Sequence, residues 1–148
     1  MFRDGVLIIG YGSPLRGDDA AGPIAAERLA ALGYAALVVH QLTPELAHPI
    51  SGARIVFFLD ADTMVAPGEV SMRPISVGAE SAWAGEPLEH HVTPAGLLQL
   101  ASVAYHAHPE ALVVGLGGAS FEEGDQISPA AERAIASAVE AVMQRARA

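Results

Sequence analysis

The sequence has no cysteine and no lysine, and all eight of its basic residues are arginines. Without cysteine the chain can form neither disulfides nor thiolate metal sites, and it has no cysteine nucleophile. Without lysine there is no P-loop lysine, no Schiff-base lysine and no Ser–Lys catalytic dyad. These absences remove several classes of enzyme, and the lack of disulfides fits a reducing cytoplasm.

Positive charge and long apolar runs are also scarce. The 148 residues carry a formal net charge of −9, so the basic face that nucleic acids require is missing. No apolar run reaches the length of about 18 residues that spans a bilayer. The start of the chain carries the acid Asp4, unlike a signal peptide. We therefore expect a cytoplasmic monomer with one domain over residues 1–148, and neither nucleic acid nor a membrane as partner.

Four short apolar runs, rich in Val, Ile and Leu, predict the centre of the fold. They are Val6–Gly10, Ala36–His40, Ile55–Leu59 and Ala111–Gly115. None of them alternates with polar residues, which is typical of central strands buried on both faces of a parallel sheet. Glu69–Arg73 does alternate and is followed by Pro74, so it predicts a short edge strand.

Helices are predicted between these runs. Pro23–Leu32 places apolar side chains on one stripe, and Gly33 follows as a C-terminal cap. Three other helices begin with a hydroxyl N-cap followed by proline, at Thr43-Pro44, Thr93-Pro94 and Ser128-Pro129. The alternation predicts an α/β fold: a single three-layer domain with a mostly parallel, five-stranded twisted sheet and helices on both faces. Ligands of such folds bind beyond the carboxyl ends of the strands.

The first strand leads into a glycine-rich loop with two adjacent acids, Asp18 and Asp19. The loop departs from the dinucleotide-binding GxGxxG pattern at Leu15, and Pro14 removes an N–H that would face a phosphate. Two carboxylates would also repel a pyrophosphate. Because a helix N-terminus stabilises ionised carboxylates, one of the acids could simply be the N-cap of the following helix. Ser13 is a conceivable nucleophile, but no base is fixed near it.

The third strand ends in two further acids, Asp60 and Asp62. Either could cap a turn. The carboxyl ends of neighbouring parallel strands meet at one sheet edge, so Asp60 should lie near the opening loop, where unpaired carboxylates would repel each other without a cation. Two aspartates and a histidine would make a mixed oxygen and nitrogen site with open positions. Such a site suits Ni, Zn or Co better than Ca or Mg.

The histidines offer several candidates for a nitrogen ligand. His90 and His91 stand just before a predicted helix and could fold back over the carboxylates. His40 closes the second strand near the same edge, where a core or supporting role is as plausible as metal ligation. His106 and His108 flank a loop before the last strand and should be solvated.

The ordered set of these motifs resembles the hydrogenase maturation proteases. Members of that family open with a strand and a G-x-G-N-x-L-x-x-D-(D/E)-x-x-G loop, which Gly10–Gly22 matches except that Ser13 replaces Asn. The later landmarks follow in order, namely Gln41–Leu46, the strand ending in Asp60, His90 four residues before Pro94, and Gly115–Pro129. A second departure is His40, which stands where many members have an acid. The resemblance covers nearly the whole chain.

The resemblance implies a metal-recognition set of Asp19, Asp60 and His90. Asp19 is the second acid of the opening loop, and Asp60 is the acid after the third strand. His90 is chosen over His91 because it keeps the family's spacing to Pro94. The resemblance also implies that the two aspartates take part in catalysis.

The activity implied by the resemblance is that of an endopeptidase. It would remove the C-terminal extension of a nickel–iron hydrogenase large-subunit precursor after nickel insertion, with the nickel arriving on the substrate. Another divalent transition metal is an alternative. An open site of this kind could position the peptide bond for attack by water. Two other hypotheses stay open: a metal-dependent peptidase with a different substrate, and a non-catalytic nickel-binding or nucleotide-binding module.

Overall fold

A five-stranded β-sheet forms the centre of the molecule. The computed structural model describes residues 2–77, 83–84, 91–121 and 126–148. The sheet strands are Val6–Tyr11 (β1), Ala35–Val39 (β2), Ile55–Ala61 (β3), Val70–Ile75 (β4) and Glu110–Leu116 (β7). The two-residue strands Trp83–Ala84 (β5) and His91–Val92 (β6) pair only with each other. The order of the sheet is β2-β1-β3-β7-β4.

The sheet is mostly parallel, as predicted. β1 pairs in parallel with β2 and β3, and β3 pairs in parallel with β7. β4 is the predicted edge strand and runs antiparallel to β7. It continues through Pro74, because an edge position tolerates a residue without an N–H group.

The prediction that Ala36–His40 is a central strand buried on both faces is wrong. β2 lies at the edge of the sheet opposite β4, and it is only partly buried, with Val38 46% exposed. The apolar composition of a strand reflects the cover on its faces. It does not reveal whether the strand has one neighbour or two.

The helices are Ala21–Ala31 (α1), Ala47–Ser51 (α2), Pro94–Tyr105 (α3) and Pro129–Arg147 (α4). Two of the predicted N-caps are confirmed. The Thr93 hydroxyl accepts a hydrogen bond from the Gly96 N–H at 2.9 Å, and the Ser128 hydroxyl accepts one from the Ala131 N–H at 3.0 Å. Thr43 makes no such bond, and the proline after it begins a short 3₁₀ turn that leads into α2.

The helices cover both faces of the sheet and complete the predicted three layers. α1 and α4 pack on one face, and α2 and α3 pack on the other. Alternate strand residues enter the two cores, so Ile8 and Phe57 face α1 and α4, whereas Ile9 and Phe58 face α2 and α3. In the described part of the chain, no helix is long and apolar enough to cross a membrane.

Two glycines bring the start of α1 into contact with the sheet. A Cβ atom at Gly10 would lie 2.5 Å from the carbonyl oxygen of Gly22, and one at Gly22 would overlap the carbonyl oxygen of Leu59. Only residues without a side chain permit this approach. The glycines of the opening loop therefore serve helix–sheet packing, and they hold the adjacent acids over the ends of β1 and β3.

Replacing Gly22 with alanine should lower the free energy of unfolding by about 2 kcal/mol. The new methyl group would meet the β3 backbone at Leu59, which cannot move without disturbing the sheet. Gly52→Ala is the matched control, because the nearest atom to a Cβ there is 3.6 Å away. Urea denaturation compares the two variants, and equal stabilities would contradict the close contact at Gly22.

Candidate functional site

A cavity of about 350 Å³ lies at the carboxyl ends of the strands, beside the start of α3. This is where ligands bind in α/β folds of this type. Residues from four strands, from α3 and from three loops form its wall, namely Tyr11, Asp19, Asp60, Ala61, Asp62, Thr63, Arg73, Pro94, Val113, Gly115 and Phe121.

Gly115 keeps the floor of this cavity open. It lies between Asp60 of β3 and Ser71 of β4 in the register of the sheet. A Cβ atom at this position would lie 2.8 Å from the Ser71 hydroxyl oxygen and 3.0 Å from Oδ2 of Asp62. The missing side chain therefore leaves the space that separates Asp60 from β4.

The Asp60 carboxyl group is partly buried, and its pKa is raised from 3.8 to about 7. Burial is the largest cause of the raised pKa, and the negative charges of Asp19 and Asp62 add to it. Hydrogen bonds from the Ala61 backbone and the Tyr11 side chain act in the opposite direction without cancelling the effect. A carboxyl with a pKa in this range suits a group that takes up or releases a proton near neutral pH.

Asp19 is held in place by the opening loop. Its Oδ2 atom accepts a hydrogen bond from the Ser13 N–H at 2.8 Å, and its own N–H donates to the Arg16 carbonyl at 3.1 Å. Gly12 has a φ of +145° and lies so close to the Asp19 backbone that a side chain would overlap it. Asp19 and Asp60 thus line one cavity, as expected for neighbouring strand ends, whereas their part in catalysis stays a prediction.

Asp62 combines a turn cap with a place in the cavity. Its Oδ1 atom accepts a hydrogen bond from the Met64 N–H at 2.8 Å, which is the capping role that the sequence left open. Its negative charge also helps to raise the pKa of Asp60. The third acid is therefore part of the electrostatics of the site.

The sequence did not single out Tyr11 or Arg73 as site residues. Tyr11 is the last residue of β1, and Arg73 lies on the edge strand β4 opposite Val113. The available signal for Tyr11 was its position at a strand end. For Arg73 it was the alternation of β4, which puts Ser71 and Arg73 on the same face of the sheet.

Comparison with solved protein structures identifies the fold of this chain. No protein-family model matches the sequence, and no curated protein matches it. The NiFe hydrogenase maturation protease HybD from Thermococcus kodakarensis is 24% identical, with a TM-score of 0.73 and coverage of 95% of this chain and 98% of that chain. The hydrogenase maturating endopeptidase HybD from E. coli is 21% identical, with a TM-score of 0.75 and coverage of 96% and 91%. HycI from Thermococcus kodakarensis KOD1 is 22% identical, with a TM-score of 0.68 and coverage of 97% and 92%.

This chain has the hydrogenase maturation protease fold. The likeness extends over nearly the whole length of this chain and of the solved structures. The fold implied by the ordered set of sequence motifs is therefore confirmed.

Within this maturation protease fold, Asp18 is a structural residue. Its side chain is 0% exposed. It accepts hydrogen bonds from the N–H groups of Ala119 at 2.6 Å and Ser120 at 2.9 Å. It also accepts bonds from the N–H of Ser128 at 2.8 Å and from its hydroxyl at 2.6 Å. Burial alone would raise the pKa of Asp18, but these four hydrogen bonds outweigh it and hold the pKa below its usual value.

The alternative that one of the two acids is the N-cap of α1 is wrong. The N-cap of α1 is Ala20, and no side chain caps this helix. Asp18 instead hydrogen-bonds to the loop that precedes α4. The residues of that loop that it contacts lie more than a hundred positions later in the chain. Local sequence could not reveal this, because the partners of Asp18 are distant in the chain.

The predicted metal set lies only partly within the described residues. His90 is outside them, and for His91 only the backbone is described, as the partner of Ala84 in the β5–β6 pair. Within the ranges that the structure describes, no group of three or more His, Asp or Glu side chains is arranged to hold a metal ion. Asp19 and Asp60 are the two predicted ligands whose positions are known.

Four other histidines do not line the cavity. His40 follows β2 and is exposed. The ring of His48 contacts that of Tyr105, with 5.5 Å between the ring centroids. His106 ends α3 in a left-handed conformation with a φ of 53°. His106 and His108 are exposed, as predicted.

Proposed function

We propose that this protein is an endopeptidase that removes the C-terminal extension of a nickel–iron hydrogenase large-subunit precursor after nickel insertion. The observation that carries the proposal is the pairing of Asp19 and Asp60 in one cavity, in a fold shared with hydrogenase maturation proteases. The match of the opening loop to the family motif supports the same activity. The proposed location is the cytoplasm, where the protein would act as a monomer on its precursor.

The electrostatics of the cavity favour a cation as part of the substrate. The raised pKa of Asp60 reflects burial and the repulsion from the charges of Asp19 and Asp62. A divalent ion beside Asp19 and Asp60 would remove this repulsion. Carboxylate oxygens together with a histidine nitrogen suit nickel, or another divalent transition metal. We therefore assign recognition of the precursor's nickel to Asp19, Asp60 and His90.

The proposed reaction is hydrolysis of the peptide bond that the bound nickel holds beside the aspartates. Water attacks the carbonyl carbon, the C–N bond breaks, and the leaving amine takes up a proton. Asp19 and Asp60 orient the metal-bearing end of the substrate, and one of them accepts a proton from the attacking water. Fixing the peptide next to the water supplies much of the rate, because a bimolecular encounter becomes a reaction within one complex.

Asp19→Asn and Asp60→Asn should each slow precursor cleavage by about 100-fold or more. Each change removes a charge that would bind the metal or take the proton, while the size of the side chain is kept. The measurement is release of the C-terminal peptide from nickel-loaded precursor, followed by mass spectrometry. Glu27→Gln removes an exposed negative charge from α1 and should cleave normally. Wild-type cleavage by both aspartate variants would rule out the assignment.

A matched pair of variants in the same assay tests the third ligand. His90→Ala should slow cleavage, whereas His91→Ala should leave it nearly unchanged. The reverse result would transfer the ligand role to His91. Normal cleavage by both variants would show that neither histidine recognises the metal.

Two other functions are separated from the proposal by simple assays. A peptidase with another substrate would cleave generic peptides and leave the hydrogenase precursor intact. A non-catalytic module would bind Ni²⁺ or NAD in calorimetry without any cleavage. Nucleotide binding is disfavoured, because Gly10 and Gly22 are used in helix–sheet packing and three aspartates line the cavity.

A further inference from the structure

A second cavity of about 280 Å³ adjoins the one with the paired aspartates. It is lined by Arg16, Asp19, Thr63 and Phe121. The last three of these residues also line the first cavity. The two spaces therefore form one cleft with Asp19 between them, and we name the space beside Arg16 the Arg16 compartment. An enzyme that cuts within a chain needs room on both sides of the bond, and this cleft extends to both sides of Asp19.

The two parts of the cleft differ in charge. Besides the shared Asp19, the first cavity is lined by two acids and one cation, Asp60, Asp62 and Arg73, whereas the only further charged residue among the described ones that line the second is Arg16. The Arg16 compartment therefore combines one cation with the shared carboxylate of Asp19. The chain as a whole carries a net charge of −9 and repels acidic ligands. A cation at this position would favour an acidic group locally.

Arg16 is exposed. The ion pairs between described residues are Arg3–Asp4, Arg28–Glu132 and Arg145–Glu110. Arg16 belongs to none of them, so no carboxylate of the described part of the chain pairs with it. Arginine binds carboxylates with two parallel hydrogen bonds when its planar group is free to do so.

The backbone of Arg16 is fixed relative to Asp19. The Arg16 N–H donates to the Ser13 carbonyl at 3.4 Å, and the Arg16 carbonyl accepts from the Asp19 N–H at 3.1 Å. The Ser13 N–H in turn donates to the Asp19 carboxylate at 2.8 Å. This ring of hydrogen bonds keeps the base of the Arg16 side chain at a set place beside the acid. Less freedom is then lost when a ligand binds.

Exposed apolar side chains stand next to the residues of the Arg16 compartment. Leu15 precedes Arg16 and is 69% exposed, and Met64 follows Thr63 and is 90% exposed. Methionine adapts to partners of varied shape. A peptide that enters this compartment would therefore meet a cation bordered by apolar surface.

We infer that the Arg16 compartment binds an acidic side chain of the substrate polypeptide on one side of the bond to be cut. The guanidinium of Arg16 pairs with that carboxylate, and Leu15 and Met64 contact apolar residues beside it. Arg16 is then a residue that determines specificity. This inference rests on the proposed function, because it requires a polypeptide across Asp19.

Arg16→Glu should raise the KM for a precursor with an acidic residue near the cleavage site by about tenfold or more, with kcat nearly unchanged. When that acid of the precursor is replaced by lysine, the ranking of the two enzymes should reverse, with a lower KM for Arg16→Glu than for the wild type. Arg147→Glu makes the same charge change at an exposed position near the end of α4 and is the control. An unchanged KM for Arg16→Glu would overturn the inference. So would an increase in KM of the same size for the acidic and the lysine-containing precursor.

Binding without cleavage gives an independent readout. Calorimetry with a synthetic peptide that spans the cleavage site should show weaker binding by Arg16→Glu than by Arg147→Glu. Equal binding by the two variants would contradict the role of Arg16. Charge-dependent binding by a wild-type protein that cleaves no precursor would support the Arg16 compartment while contradicting the proposed function.

Discussion

Asp60→Asn should make the protein more stable at pH 8, by about 2 kcal/mol. The pKa of this carboxyl is about 7 in the folded protein, against an ordinary value of 3.8. A difference of about three pKa units corresponds to at most about 4 kcal/mol. Because Asp60 keeps some contact with solvent, about half of that is expected. Asparagine retains an oxygen that can accept the hydrogen bonds from Tyr11 and Ala61.

The stabilisation should depend on pH in a definite direction. The folded protein binds the Asp60 proton more tightly than the unfolded chain, so wild-type stability falls as the pH rises from 3.8 to about 7. Asparagine does not titrate. The difference between the variant and the wild type should therefore be complete above pH 7 and disappear as the pH falls towards 3.8.

Urea denaturation at pH 8 and pH 4.5 measures this difference. Glu27→Gln removes an exposed charge and should change stability by less than about 0.5 kcal/mol at either pH. A destabilised Asp60→Asn at pH 8, or an equal gain at both pH values, would contradict the raised pKa. With the loss of cleavage expected for the same variant, the gain would show that this acid is kept for activity at the expense of stability.

Asp18→Ala should lower the free energy of unfolding by about 2–4 kcal/mol. The change leaves three N–H groups and one hydroxyl without their acceptor, at a place where Asp18 is 0% exposed. It also releases the loop between β7 and α4 from the opening loop. This loop includes Phe121, which lines both cavities. Denaturation at pH 7 measures the effect.

Two control variants and the pH dependence test whether the loss of stability in Asp18→Ala comes from the missing Asp18 carboxylate. Glu69→Ala removes an exposed acid and should alter stability by less than about 0.5 kcal/mol. Asp18→Asn should also be destabilising, because an NH₂ group would replace one of the two accepting oxygens. The lowered pKa of Asp18 means that its contribution is present above pH 3.8 and is lost as the pH falls through the folded-state pKa. A loss below about 1 kcal/mol for Asp18→Ala would contradict the structural role.

Much of the fold follows from short-range patterns. Apolar runs of strand length and hydroxyl–proline helix starts predict the order of the elements along the chain. They also predict the three interior strands β1, β3 and β7 and the edge position of β4. The N-caps at Thr93 and Ser128 depend on residues only three positions apart, so local sequence contains all that they require. The neighbourhood of Asp19 and Asp60 is also predictable, because parallel strands end at the same edge.

Other features depend on contacts that no local pattern contains. The edge position of β2 is set by which strands pair, and a run such as Ala36–His40 reads the same with one neighbour or two. Tyr11 and Arg73 enter the site only because β1 and β4 flank the β3–β7 pair. The Arg16 compartment exists because the opening loop meets Thr63 and Phe121 from other parts of the chain.

The two adjacent acids of the opening loop separate what the sequence alone determines from what only the tertiary structure decides. The sequence alone determined that Asp18 and Asp19 follow a buried strand, lie near Asp60 and repel other carboxylates. It could not assign their different tasks, because two neighbouring aspartates are chemically identical until their surroundings are known. Only the tertiary structure decided this, since the partners of Asp18 lie about a hundred residues away at Ala119, Ser120 and Ser128. Those hydrogen bonds bury Asp18 as an anchor and leave Asp19 to line the cleft.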